Sequence, residues 1–161
     1  MTQAAIRLSA ADEAAFARYG RILGPPDAAG ARRFYSDALH TRPDDSAPIL
    51  HVNAVAPSRL PLTVTGVERH PHAAQCFVPL DVGRYVVLAM PDGADGGPDP
   101  ARALAFVLPG TRGVIFHPGA WHLGATVLDR PGHFAVLMWR GGRRADDEFR
   151  AVPPLILMDR E

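Results

Sequence analysis

The chain has 161 residues, with 17 Lys plus Arg against 17 Asp plus Glu, and a single cysteine, Cys76. Balanced charge argues against a nucleic-acid or anionic-membrane partner. No apolar run approaches the roughly 18 residues of a membrane-spanning helix, and one cysteine excludes an internal disulfide and a thiolate metal cage. The segment Met1–Arg7 lacks the basic start and apolar core of a secretory leader. The expectation is one soluble, cytoplasmic domain spanning residues 1–161, rich in short strands because 16 prolines and 15 glycines punctuate it.

In chain order, Ser9 caps a short helix over Asp12 to Tyr19, with acids in its first turn and Gly20 at its end. Gly24-Pro25-Pro26-Asp27 stops regular structure, and Ala28 to Ala47 carries only a weak pattern. From Ile49 the pattern becomes strand-like. Ile49 to Val55 is apolar and β-branched, and Leu62 to Val67 alternates with period two. Gln75–Leu80 and Tyr85–Met90 read as a hairpin about Asp81-Val82-Gly83-Arg84. After a polar loop over Pro91–Pro100, further strands are expected at Ala103–Leu108, Val114–Phe116, Ala125–Leu128 and Phe134–Arg140. The run Arg143-Arg144-Ala145-Asp146-Asp147-Glu148 reads as a solvated tail before a last strand. This spacing predicts a sandwich or barrel, and the Cys76 thiol reads as buried and inert.

Two histidine clusters sit at strand edges. The first is Glu68-Arg69-His70-Pro71-His72, followed by Gln75; the second is His117-Pro118-Gly119-Ala120-Trp121-His122. Imidazole is the commonest metal ligand and the natural acid–base group near neutral pH. Strand-edge imidazoles projecting into a barrel mouth, with an oxygen donor such as Gln75, leave open positions for a substrate. The His-x-His of the first cluster and the Pro-Gly before the second histidine resemble a single-barrel cupin site, with Gln75 in place of the usual acid.

A closer resemblance rests on Leu60-Pro61-Leu62-Thr63, Glu68-Arg69-His70-Pro71, the strand Gln75–Leu80, and Gly113-Val114 through His117 and Trp121-His122. These resemble the ureidoglycolate lyase family in order and spacing through about half the chain, and Phe16 to Gly20 fits the family's opening pattern. The resemblance implies a mainly β, cupin-like antiparallel barrel (a double-stranded β-helix) and a homodimer. It also implies cleavage of a small carboxylate substrate, ureidoglycolate, to glyoxylate and urea, as in purine and allantoin breakdown. It further implies a divalent metal ion, nickel or another. Leu123 and Trp139 stand where the family commonly has a histidine and an acid, and a polar family segment is not evident between Ala28 and Ala47. A more apolar pocket and weaker turnover on ureidoglycolate are the expectation from Leu123 and Trp139. The alternatives are a non-catalytic cupin-type binding protein, or a lyase for a different 2-hydroxy or 2-oxo acid.

Each residue also has a plainer reading. His70, His117 and His122 are the candidate acid–base residues, and His70, Gln75 and His122 the candidate metal ligands. Gln75 also reads as a partner for a urea amide or as a satisfied core amide. Arg69 and Arg140 are candidates to grip a carboxylate, which the planar guanidinium does with two parallel hydrogen bonds. Glu68 pairs with Arg69 at the surface or orients a histidine, Trp121 stacks beside a ligand or packs the barrel, and His72 reads as a surface residue.

Overall fold

The structure, a computed structural model, describes residues 4–160; Met1–Gln3, part of the segment read for a leader, and Glu161 lie outside them. Strands β1 (Ala4–Arg7) and β2 (Ser9–Ala10) open the chain, followed by helix α1 (Glu13–Phe16) and β3 (Gly20–Ile22). Then come β4 (Ala47–Val55), β5 (Leu62–Arg69), β6 (Gln75–Pro79), β7 (Arg84–Met90), β8 (Leu104–Pro109) and β9 (Val114–Phe116). The last four are β10 (Trp121–His122), β11 (Thr126–Leu128), β12 (Gly132–Arg140) and β13 (Glu148–Met158). The mainly β, barrel-like architecture is the expected one.

The strands form two sheets. The larger runs β1-β13-β5-β10-β7-β8-β2, with β11 also on β7; the smaller runs β3-β9-β6-β12-β4. Pairing is antiparallel except at the ends of the larger sheet, where β1 lies parallel to β13 and β2 parallel to β8. Since β1 and β2 are separated only by Leu8, one chain segment bridges both ends of that sheet and draws it into a nearly closed barrel. Leu8 is buried at the junction, in a core with Val64, Leu88, Trp121, Leu155 and Leu157. Closure removes the exposed sheet edges that invite unwanted pairing.

Strand β7 has apolar side chains buried on both faces. Val86, Leu88 and Met90 enter the barrel core, while Tyr85, Val87 and Ala89 face the smaller sheet. That second core holds Phe77, Phe116, Phe134 and Val136 of the smaller sheet, joined by Phe16 of α1. Phe134 meets Tyr85 edge-on at 5.1 Å and Phe77 at 6.0 Å, so aromatic edge-to-face contacts tie the sheets together.

Two expectations change, and the last strand adds an irregularity. The helix is one turn, capped by Asp12 accepting from the Ala15 amide, because Gly20 does not end it but enters β3. A Cβ on Gly20 would fall 1.8 Å from the Ile115 carbonyl oxygen, so this glycine permits close strand approach. Next, β6 and β7 are not a hairpin: β6 pairs with β9 and β12, β7 with β8, β10 and β11, and Asp81–Gly83 carries the chain between sheets. Finally, β13 continues through Pro153-Pro154 by slipping register between Ala151 and Leu155, where proline cannot donate to the ladder. Cys76 is buried, and burial pushes its thiol up to about 11, as the inert reading requires.

Phe134→Ala should cost about 3–5 kcal/mol of stability, since it empties the aromatic seam between sheets. Val78→Ala, on the exposed outer face, should stay within about 0.5 kcal/mol. Urea denaturation of both variants checks the contrast.

Candidate active site

In β10 the two side chains point opposite ways, Trp121 into the barrel core and His122 toward the smaller sheet. His122 lies opposite Glu68 of β5 and Ala89 of β7, and directly opposite residues share a face. Gln75 opens β6 opposite Phe116 of β9. The Phe116 ring stacks on His122 at 4.0 Å with only 11° between planes. His70 follows the end of β5, and its carbonyl accepts from Gly119, whose φ of 81° lets the turn into β10 close against it.

These elements bring Glu68, His70, Gln75 and His122 together between the sheets. His122 Nε2 is 3.0 Å from Gln75 Oε1 and 3.5 Å from Glu68 Oε1. The His70 and His122 ring centres are 5.8 Å apart. Candidate donor atoms of Glu68, His70 and His122 all lie within 4.8 Å of one another. His122 is 1 % exposed and His70 and Gln75 6 % each, whereas the Glu68 side chain keeps 21 %. Glu68 also lines a groove of about 460 Å³ with Thr65, Gly124, Phe149 and Ala151. Glu68 is thus the cluster's point of access.

The hydrogen bonds orient both imidazoles. His122 Nδ1 is 2.8 Å from the Ala120 carbonyl oxygen, and His70 Nδ1 is 2.7 Å from that of Asp146. A carbonyl only accepts, so Nδ1 carries the proton in both rings and the neutral lone pair sits at Nε2. His70 Nε2 is buried with no hydrogen-bond partner among the described residues. When the two rings are protonated, the hydrogen bond from His122 and the charges of His122 and His70 hold the Glu68 carboxyl below its ordinary value despite opposing burial. With both rings neutral, an ionised carboxylate, two imidazole lone pairs and an amide oxygen converge with too few protons among them. Turning the Gln75 amide supplies a donor to His122. This nitrogen and oxygen donor set suits a borderline divalent cation, which would satisfy the orphaned His70 Nε2.

The other expected site residues lie elsewhere. The His117 ring stays half-buried at the end of β9, outside the cluster. Arg69, expected to grip a carboxylate, is already engaged: its Nε donates to Glu148 (2.7 Å), its Nη1 to Asp92 (2.8 Å), and it lies 4.2 Å above the Trp121 ring. Trp121 is wholly buried in the barrel core and donates to Asp92. Arg140 donates to Asp147 at 3.0 Å instead of facing the imidazoles. Leu123 packs against the barrel core, on the side away from His122, and Trp139 lies under the Arg42 guanidinium at 4.3 Å. On β12 it is Met138, 4.0 Å from Gln75 Nε2, that faces the cluster. Neither of the two departures from the family pattern lines the groove at Glu68, and Trp139 instead lines a cavity with Arg140, Asp146 and Asp147. Glu68 was legible only as an orienting group; its place opposite His122 depends on strand register, which local sequence does not carry.

The sequence model of the ureidoglycolate lyase family matches residues 3–156. A ureidoglycolate lyase of Burkholderia cepacia is 32% identical over 146 residues, covering 85% of this chain and 80% of that protein. One from Pseudomonas savastanoi pv. phaseolicola is 31% identical over 119 residues, covering 73% and 68%. One from Pseudomonas aeruginosa is 28% identical over 158 residues, covering 90% of each. Among solved structures, RmlC from Streptococcus suis in complex with dTDP-D-xylose aligns over 58% of this chain and 44% of that one, with a TM-score of 0.43 and 13% identity. With a family match running almost from end to end and relatives near one-third identity, the chain belongs to the ureidoglycolate lyase family.

Proposed function

We propose that this chain is a carbon–nitrogen lyase that cleaves ureidoglycolate to glyoxylate and urea at the Glu68–His70–Gln75–His122 cluster. The observation that carries this reading is the buried convergence of two Nε2 lone pairs and an ionised carboxylate in a member of that family. His70, His122 and Glu68 are the residues that would hold a divalent ion, nickel or another. Such an ion lowers the pKa of a hydroxyl that it coordinates and offsets carboxylate charge.

Ureidoglycolate carries a hydroxyl, a carboxylate and a urea nitrogen on one carbon. Cleavage moves the hydroxyl proton to the departing nitrogen while the carbon–nitrogen electron pair leaves with urea and the oxygen closes to an aldehyde. In this reading the outer oxygen of Glu68 accepts the hydroxyl proton and returns it to the nitrogen, one group serving in turn as base and acid. Gln75 hydrogen-bonds the urea group. Phe116, stacked on His122, excludes water from the inner side of the site. Substrate reaches Glu68 through the groove beside Gly124 and Phe149. Leu123 and Trp139 are not among the residues that line this groove.

The same reading makes the chain a cytoplasmic homodimer acting on a small carboxylate, with neither nucleic acid nor membrane as partner. Support for the dimer comes from the outer face of the smaller sheet. Leu50, Val52, Val78 and Leu80 are exposed there beside the unpaired edge of β4, a patch of the kind that marks association.

Glu68→Gln and His122→Ala should each lower glyoxylate release on the order of 100-fold or more, the scale of lost acid–base help, with circular dichroism unchanged. Equal turnover in either well-folded variant removes that residue from the mechanism. Dialysis against a chelator should abolish turnover and nickel or another divalent ion should restore it; full activity in the metal-stripped protein defeats the metal assignment. Val52→Asp should convert dimer to monomer in sedimentation, and a wild-type monomer at all concentrations rejects the dimer.

A further inference from the structure

We propose that residues 141–147, between β12 and β13, form a strap that sets the His70 tautomer, with Asp147 as its positioning residue and Arg140 as the brace. The proposal deepens the lyase reading and rests on it for the purpose of the tautomer, though not for its existence.

The two imidazoles of the cluster meet one requirement by different means. His122 takes its Nδ1 acceptor from Ala120, two residues away and in the same turn. His70 has no such neighbour. Its Nδ1 is 2.7 Å from the Asp146 carbonyl oxygen and 3.2 Å from Asp147 Oδ1, both contributed by a segment more than 70 residues later. The carbonyl accepts from Nδ1 and the Asp147 carboxylate stands beside it, so together they hold the proton on Nδ1 and leave the lone pair on Nε2, which is buried, without a partner among the described residues, and near Glu68 and His122. Without them the ring is free to carry its proton on Nε2 instead. That tautomer turns an N–H toward the cluster and removes the lone pair.

The strap is itself tied down. Asp147 Oδ2 accepts from Arg140 Nη1 at 3.0 Å, Asp146 Oδ1 accepts from the His72 amide at 2.7 Å, and the Arg143 amide donates to Asp45 Oδ2 at 2.9 Å. Arg140 therefore acts at one remove: it holds Asp147, and Asp147 holds His70. The alternating-sign run that reads as a solvated tail has a use in this arrangement. Its acids face inward to His70 and His72, and its arginines face outward, where Arg143 and Arg144 are exposed. Substrate need not displace the strap, because the groove that opens on Glu68 is lined by other residues.

Nitrogen-15 NMR of the metal-free protein, read at the alkaline limit of its imidazole signals, tests the proposal. In the wild type, His70 and His122 should both be protonated at Nδ1. The double variant Asp146→Ala/Asp147→Ala removes the Asp147 carboxylate and the tie to the His72 amide, which releases the strap and with it the Asp146 carbonyl; His70 should become a mixture of tautomers while His122, held by Ala120, stays unchanged as the internal control for folding. Asp147→Asn keeps an acceptor oxygen and should retain the wild-type tautomer. Arg140→Gln, which leaves every His70 contact in place, is the milder variant and should give a smaller shift in the same direction. Nickel affinity of the double variant should fall about 10–100-fold, the scale for losing the group behind a ligating histidine. His70 protonated at Nε2 in the wild type, or still wholly at Nδ1 in the double variant, overturns the proposal. A wild type that binds no nickel, with a tautomer that still depends on the strap, defeats the metal assignment and leaves the positioning intact.

Discussion

Strand β10 is two residues long, held between β5 and β7, and the alternation of side chains along it governs both the fold and the site. Trp121 points into the barrel, where it is wholly buried and stacks under Arg69. His122 points the other way, onto Phe116 of the smaller sheet. A slip of one residue would exchange the two, placing an imidazole in an apolar core and an indole among the polar groups of the cluster. Any change that keeps His122 in place must therefore keep Trp121, its network with Asp92 and Arg69, and the barrel around it.

The cluster lies where the fold can support buried polarity. Both sheets contribute, Glu68 and His122 from the larger and Gln75 from the smaller, with His70 just beyond the larger sheet's β5. Each is fixed by backbone geometry and not by a flexible loop tip. Burying a carboxylate beside imidazoles is costly unless they are paired. Here the imidazoles offset Glu68, as the lowering of its pKa records, and Glu68 keeps contact with solvent through the groove. One accessible charged group leading to two nearly inaccessible imidazoles is an arrangement in which a small ligand meets the carboxylate first.

The remaining charged residues are engaged mainly in holding the frame. Arg69 joins β5 to β13 through Glu148 and to the loop after β7 through Asp92. Arg140 joins the end of β12 to the strap. The Arg69–Glu148 pair is partly buried and screened less than a surface ion pair, whereas Asp92 and the Arg140–Asp147 pair are exposed; such exposed pairs fix orientation more than they add stability. An arginine near a histidine motif in sequence is thus no guide to which cation faces the substrate, since a side chain one position away on a strand faces the opposite way.

Composition, periodicity and motif together determined the β-rich class, most strand positions and the family. They singled out His70, Gln75 and His122 because local chemistry is written locally: a histidine beside a proline or after a glycine turn is visible in a short window. The pairing of β6 and β7 with other strands, the closure of the barrel by β1 and β2, and the meeting of Glu68 with His122 were decided by tertiary structure, because strand register is set by long-range packing. The same holds for Leu123 and Trp139, whose positions matched polar family sites but whose side chains the strand alternation turns away. It holds most plainly for the strap, where residues that look like a solvated charge run gain a role only because the fold carries them back to His70.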